Sequence, residues 1–152
     1  MASIAYNDIF DSFLGEITDY DLATLSESDA DQMMTEYLHK AIYNMHIYAL
    51  FSSVSLDDDT HTITYEMAFK WNESADDGFL KNVLGKAMAY EWVSPKVNSI
   101  TNLHQFYGGK EQKFYAQSNQ LAQLIELKNQ LNIDIRALIE NRSLLKNAYL
   151  GG

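Results

Sequence analysis

The sequence predicts a mainly α protein: a small helical bundle with a long C-terminal helix and, at about residues 56–77, a short β-hairpin or an extended arm. Three observations predict it. Apolar residues recur at spacings of three and four over residues 5–17, 28–52 and 79–93. Leucine recurs every seventh residue at Leu124, Leu131, Leu138 and Leu145. β-Branched and aromatic residues alternate only between His61 and Phe69. With 152 residues and 47% hydrophobic content, the chain can build one core and is too apolar for global disorder. The expected organisation is a single helical domain over residues 1–140 and a flexible C-terminal arm, 141–152.

The first helix is expected over residues 5–17, with Ile9, Phe10, Phe13, Leu14 and Ile17 on one face and Asn7 or Asp8 as N-cap. Residues 18–28 read as a connector with a short turn around Tyr20–Leu22. Ser26, Ser28 and the acidic turn that follows suit the positive end of a helix dipole, and this second helix should run to about Ser52. Met33, Tyr37, Ala41, Met45 and Tyr48 form its stripe, with Met34, Leu38, Ile42 and Ala49 beside them. Asp57-Asp58-Asp59 signals a turn, after which Ile63, Tyr65, Met67 and Phe69 share one side of a strand. Such a strand forms a hairpin, pairs with a neighbouring copy, or extends as an arm.

Residues 72–78 read as a polar break before a helix over Phe79–Val93, whose inward face carries Leu80, Val83, Leu84, Ala87, Met88 and Trp92. The chain's only proline, Pro95, should stop this helix, with Val97–Leu103 continuing as a kinked turn. Met88, Trp92 and Pro95 are therefore its structural positions. Gly108-Gly109 punctuates the chain before a last helix from Phe114 to about Ala148. Leu121, Leu127, Ile135 and Ile139 widen its leucine stripe. The helix is longer than a domain of this size requires, so part of its apolar surface is expected to meet another copy or another protein.

Charge is distributed unevenly. Residues 1–77 hold sixteen acidic side chains against Lys40 and Lys70, a balance of −14, whereas residues 78–152 hold nine basic against five acidic, a balance of +4. Head-to-side packing of identical copies would match these signs. Two independently solvated faces also account for them, and charge alone favours that simpler reading. No basic stripe supports duplex binding. The absence of cysteine excludes disulfides and thiolate chemistry. The first eight residues lack the regions of a secretory signal, and no apolar run reaches the ~20 residues of a membrane span. A reducing cytoplasm, or a particle assembled there, is the expected setting.

Candidate chemistry is sparse. Asp57, Asp59 and His61 could hold a metal, but the cluster lacks the spacing of a calcium loop and reads better as a solvated turn. His39 and His46 stand two helical turns apart, too far to share one zinc, and His104 has no partner in the pattern. No nucleophile elbow occurs, and Gly108-Gly109-Lys110 lacks the context of a phosphate loop. Glu91 reads as a surface carboxylate, with burial and pairing to Lys86 or Lys96 as the alternative. Aromatic side chains lie mostly on helical stripes, which favours core or subunit contact over base stacking. No enzyme activity, cofactor or metal is expected.

Four stretches carry a resemblance: Y-N-D-I-F-D-S-F-L near the start, D-Y-D-L-A-T-L-S-E-S-D at 19–29, A-M-A-Y-E-W-V-S-P-K-V-N at 87–98, and K-F-Y-A-Q-S-N-Q-L-A-Q-L-I-E-L at 113–127. In this order, and over most of the chain, the sequence resembles the head–tail connector proteins (adaptor or head-completion proteins) of tailed bacteriophages. It departs from their pattern at residues 56–77, where the strand-like segment replaces a plain acidic loop. The resemblance implies a virion protein of the neck, between head and tail and made in the bacterial cytoplasm. Copies would dock on the portal protein as a ring, expected to be twelvefold, extend the DNA channel, and present a surface to the next neck or tail-completion protein. DNA would pass without sequence-specific binding, and no membrane is involved. Leu138, Leu145, Tyr149 and Leu150 are the expected partner-binding residues, on the portal or a neighbouring subunit. Ile63, Tyr65, Met67 and Phe69 are the candidate subunit contacts. The rivals are a neck protein on the tail side and a metal-dependent enzyme built on Asp57, Asp59 and His61.

Overall fold

A computed structural model describes residues 2–17, 26–107 and 112–149, and the side chains of all of these except 45, 99–107, 112–120 and 144–149. The elements run β1 (Ala2–Ala5), α1 (Tyr6–Glu16), α2 (Glu27–Ile42), α3 (Met45–Tyr48), β2 (Phe51–Asp57), β3 (Thr62–Met67), α4 (Glu73–Tyr107) and α5 (Gln112–Tyr149). The protein is mainly helical, with one three-stranded antiparallel sheet in the order β1-β3-β2. Residues 18–25 of the connector expected over 18–28, the turn at Gly108-Gly109 and residues 150–152 lie outside the described residues, and Glu27 and Ser28 belong to α2.

The segment left open between hairpin and arm is a hairpin paired within the chain. β3 takes β2 on one side and β1 on the other, with Ile63 opposite both Leu56 and Ile4. A register shift between Phe51 and Ser53 adds a residue to β2. The extra residue lets Phe51 share the core side with Val54 and Leu56, which strict alternation would forbid. The hairpin turn ends at His61, held at φ 53°, a left-handed conformation that histidine tolerates better than branched residues.

Several expected boundaries move. α1 starts directly from β1, so its N-cap is Ala5, with no side-chain cap, and neither Asn7 nor Asp8 serves. Ile9, Phe10 and Phe13 are buried as expected, but Leu14 is 45% exposed. Ser26 caps α2 by accepting the N–H of Asp29 at 3.2 Å. The helix ends at Ile42, ten residues before Ser52, because Asn44 breaks it: its side chain accepts the N–H of His46 at 3.1 Å and starts α3. Tyr48 is consequently exposed and Ile47 takes the buried place. Residues 72–78 are not a break: Asn72 Oδ1 accepts the N–H of Ala75 at 2.8 Å and α4 begins at Glu73.

Pro95 does not stop α4. The helix passes through it to Tyr107, and Pro95 is exposed, so it is not a core position. An interior proline costs about 3 kcal/mol of helix propensity. Buried Met88, Trp92 and Val93 precede it and half-buried Val97 follows, so tertiary packing holds the helix on both sides. α5 lies antiparallel to α4: Arg142 meets Asp76, Asp134 approaches Lys86 at 3.8 Å, and Lys128 sits 5.6 Å from the centre of the Tyr90 ring. Leu131 is buried, and Leu124, Leu127, Ile135, Leu138 and Ile139 pack around it on the core.

α1 runs beside α4 with the same polarity, and Gly85 is the point of closest approach. A Cβ there would press on Ser12 Oγ and stand 2.8 Å from Ser12 Cβ and 3.1 Å from the backbone nitrogen of Phe13. At Gly78 a Cβ would meet nothing within 4 Å. Gly85→Ala is therefore expected to lower stability by about 1–3 kcal/mol through overpacking. Gly78→Ala should raise it by about 0.5–1 kcal/mol through helix propensity. Urea unfolding of both variants checks the pair, and a stabilising Gly85→Ala would show that α1 is not fitted against α4 at this point.

Candidate functional site

The acidic turn between β2 and β3 resolves into separate structural roles. Asp57 Oδ1 accepts the N–H of Asp59 at 3.0 Å and of Thr60 at 3.2 Å, closing the turn. Asp58 Oδ1 accepts the Tyr6 hydroxyl at 2.6 Å and lies 2.9 Å from His39 Nε2, tying β1–α1 and α2 to the hairpin. These bonds, Tyr6's first and His39's second, hold the Asp58 carboxyl below the usual range, while burial and then Asp58 push the Tyr6 hydroxyl well above its own. His61 packs against the Tyr6 ring at 5.6 Å. Among the described residues no three His, Asp or Glu side chains form a group that could hold a metal ion. The geometry thus gives Asp57, Asp58 and His61 structural work.

A second cluster joins the sheet to the helical pair. Asp76, in the first turn of α4, is 4% exposed, and its carboxylate accepts the Arg142 guanidinium at 2.7 Å and the N–H of Trp71 at 3.2 Å. Arg142 also donates to the Phe69 carbonyl at 2.6 Å and stands 4.8 Å from the centre of the Phe79 ring. The end of β3, the start of α4 and the C-terminal part of α5 therefore share one buried ion pair.

The third feature lies between the helices. Lys86 is held by Glu16 at 2.9 Å and approaches Asp134, and Lys96 lies 5.0 Å from the centre of the Trp92 ring. Neither pairs with Glu91, which is half-buried and has no hydrogen bond or ion pair among the described residues. It faces a groove of about 550 Å³ shared with Asn44, His46, Asn132, Arg136 and Glu140. Burial raises its pKa against the opposing pull of Lys40 and Lys128. The expectation of a surface carboxylate is therefore corrected.

Four of the eight expected interaction residues face inward. Ile63, Tyr65 and Met67 are 1–3% exposed in the chain's own core, so they are not available as subunit contacts. Phe69 lies beyond the end of β3, half-buried, with its carbonyl taken by Arg142. Met88 and Trp92 are buried as expected. Leu138, expected to bind a partner, packs on the core, and the boundary drawn at residue 140 falls inside α5. The backbones of Leu145 and Tyr149 are helical, whereas their side chains, and Leu150 entirely, lie outside the described residues. Large exposed apolar side chains occur instead at Tyr43, Tyr48, Trp71 and Ile133. Tyr43 and Tyr48 stack at 5.8 Å across the break at Asn44, a pairing concealed by reading one continuous helix.

No family model matches this chain, and no curated protein or solved structure matches it significantly. Among the described residues no helix is long and apolar enough to cross a membrane.

Two outcomes follow from these groups. Arg142→Met should cost about 3–5 kcal/mol by leaving Asp76 buried and unpaired, and Arg142→Met with Asp76→Leu should recover much of that loss. Chemical denaturation checks both, and a loss below ~1 kcal/mol for the single variant would show the pair to be dispensable. Ionisation of Glu91 opposes folding, so its destabilising effect is absent below the ordinary glutamate pKa and complete above its raised folded value. Glu91→Gln should therefore melt higher than the native protein at pH 7, and the two should converge in acid. Melts from about pH 3 to about pH 8 test this, and equal melting temperatures at pH 7 would contradict it.

Proposed function

We propose that this chain is a structural protein of a tailed-phage neck: an adaptor that docks on the portal ring, extends the DNA channel and links the filled head to the next neck or tail protein. The observation that carries the reading is where the resembling stretches fall. Y-N-D-I-F-D-S-F-L forms most of α1, A-M-A-Y-E-W-V-S-P-K-V-N the middle of α4, and K-F-Y-A-Q-S-N-Q-L-A-Q-L-I-E-L the first part of α5. Ile9, Phe10 and Phe13 of the first, Met88 and Trp92 of the second, and Leu124 and Leu127 of the third lie in or against one core, which supports reading these stretches as parts of one assembly.

The shape of that assembly suits the task. α4 and α5, of 35 and 38 residues, form an antiparallel pair roughly 50 Å long, clasped at one end to the sheet. A rod of this length fixed to a small body can reach between layers of a larger assembly. The acidic first half repels DNA phosphates and would let a passing duplex slide. Copies arranged as a ring would bring this acidic half toward the mildly basic second half of a neighbour.

Co-sedimentation with portal rings from the same genome, followed by imaging of the pellet, tests the proposal. The full chain is expected to form a regular collar. A truncation ending at Ser143 keeps Arg142 and should retain the helical circular dichroism and melt while losing portal binding. Full binding by the truncation would overturn the assignment of the C-terminal arm to the portal. Failure of the intact chain to bind portal, with capture by a tail-side neck protein, would overturn the portal assignment itself.

A further inference from the structure

The groove beside Glu91 is a gap between helices. α2 and α5 both pack against α4, and α4 supplies the floor between them at Ala87, Tyr90 and Glu91. Ile47, just after the break at Asn44, and Ile135 and Ile139 of α5 give it apolar walls. Its volume of about 550 Å³ is that of a small-molecule site, where such walls are combined with a few polar groups.

Opposite charges stand at two heights along this groove. Across the antiparallel pair Lys86 is level with Asp134 and Tyr90 with Lys128, which places Arg136 about eight residues, or ~12 Å, from Glu91 along the helix axis. Helical side chains lean toward the N-terminus of their own helix, so from antiparallel helices Glu91 and Arg136 lean toward each other. They do not meet, and neither has a hydrogen bond or an ion pair among the described residues. Midway between them the small side chain of Ala87 leaves room at the floor. Asn132, level with Ala87, brings an amide from α5 that has no hydrogen bond among those residues. Lys40 and Lys128 act on Glu91 without offsetting its burial, and Glu140, one turn beyond Arg136, does not pair with it. A ligand of one sign would match Glu91 or Arg136 and leave the other facing it.

We propose that this groove binds a short peptide of two or three residues with free ends, its ammonium group on Glu91 and its carboxylate on Arg136. Such a peptide spans roughly 7–10 Å when extended, which fits the ~12 Å between the two helical positions less the lean of their side chains. The guanidinium can meet the carboxylate through two parallel N–H donors. The Asn132 amide, a donor and an acceptor, pairs with the peptide's own amide at the midpoint. Aliphatic side chains of the ligand lie against Ile135 and Ile139. A single amino acid holds its two charges too close together to reach both ends. The inference is independent of the neck assignment, because it rests on the groove alone.

The test is titration of the intact chain at pH 7 with the tripeptide Ala-Leu-Ala, its N-acetyl form, its C-terminal amide, and leucine, following the Ala87 and Asn132 N–H signals by heteronuclear NMR. The free tripeptide should give saturable shifts, and blocking either end should weaken binding about tenfold. Leucine should bind more weakly than the tripeptide. Glu91→Gln, which is expected to fold more stably at pH 7, should bind the free tripeptide about tenfold more weakly and no longer distinguish it from the N-acetyl form. Arg136→Gln, on the surface, should likewise lose the distinction between the free tripeptide and its amide. No saturable shift up to about 10 mM, equal binding of free and blocked tripeptides, or an acetylation effect that persists in Glu91→Gln would overturn the site. Leucine binding tighter than the tripeptide would overturn its assignment to a peptide.

Discussion

Asp76 is a buried carboxylate, and a carboxylate taken out of water must be matched where it lies. Arg142 matches it from the far end of the chain, and the same Nη2 also donates to the Phe69 carbonyl. Three consequences follow from this one constraint. The backbone leaving β3 is fixed by the Trp71 N–H and the Phe69 carbonyl, so the entry into α4 has a single geometry. The register of α5 on α4 is set from that end, with the Lys86–Asp134 approach and the Lys128–Tyr90 contact following along the pair. The sheet and the helical pair thus become one body.

α1 is fitted to that body at a second point. Gly85 removes the side chain that would hold α1 away, and Lys86, the next residue, reaches Glu16 on α1 and approaches Asp134 on α5. A close approach and a bridging cation on adjacent residues bring α1 and α5 together on α4. Around this framework lie two groups with no hydrogen bond or ion pair among the described residues: the half-buried Glu91 carboxylate in its groove and the buried Tyr65 hydroxyl. Burial without a partner among those residues costs stability at both positions.

Much of the helical framework was legible in the sequence because helical periodicity is a local signal. The spacing of Ile9, Phe10 and Phe13, of Met88 and Trp92, and of the leucines around Leu131 identified faces that are buried or packed on the core. What the sequence concealed depends on contacts between distant residues. β1 is four residues long and is a strand only because β3, some sixty residues later, supplies its partner. α3 continues an apolar stripe begun on α2, so the break at Asn44 between them is hidden in the spacing. Pro95 carries a strong local signal that packing of Trp92 and Val93 overrides. The alternation of Ile63, Tyr65 and Met67 identified a strand face correctly, but alternation cannot say whether that face meets its own core or another copy. The Asp76–Arg142 pair spans 66 residues and leaves no trace in spacing.

The proposed function has one central claim: this chain is a built-in part of a phage particle, with the helical pair as its rigid element and docking as its work. The most direct measurement is the protein content of purified, infectious particles from the phage that encodes it, by quantitative mass spectrometry. The account predicts that the chain is present in fixed proportion to the portal protein. Its absence from the particle, with abundant free protein in the infected cell, would contradict the account.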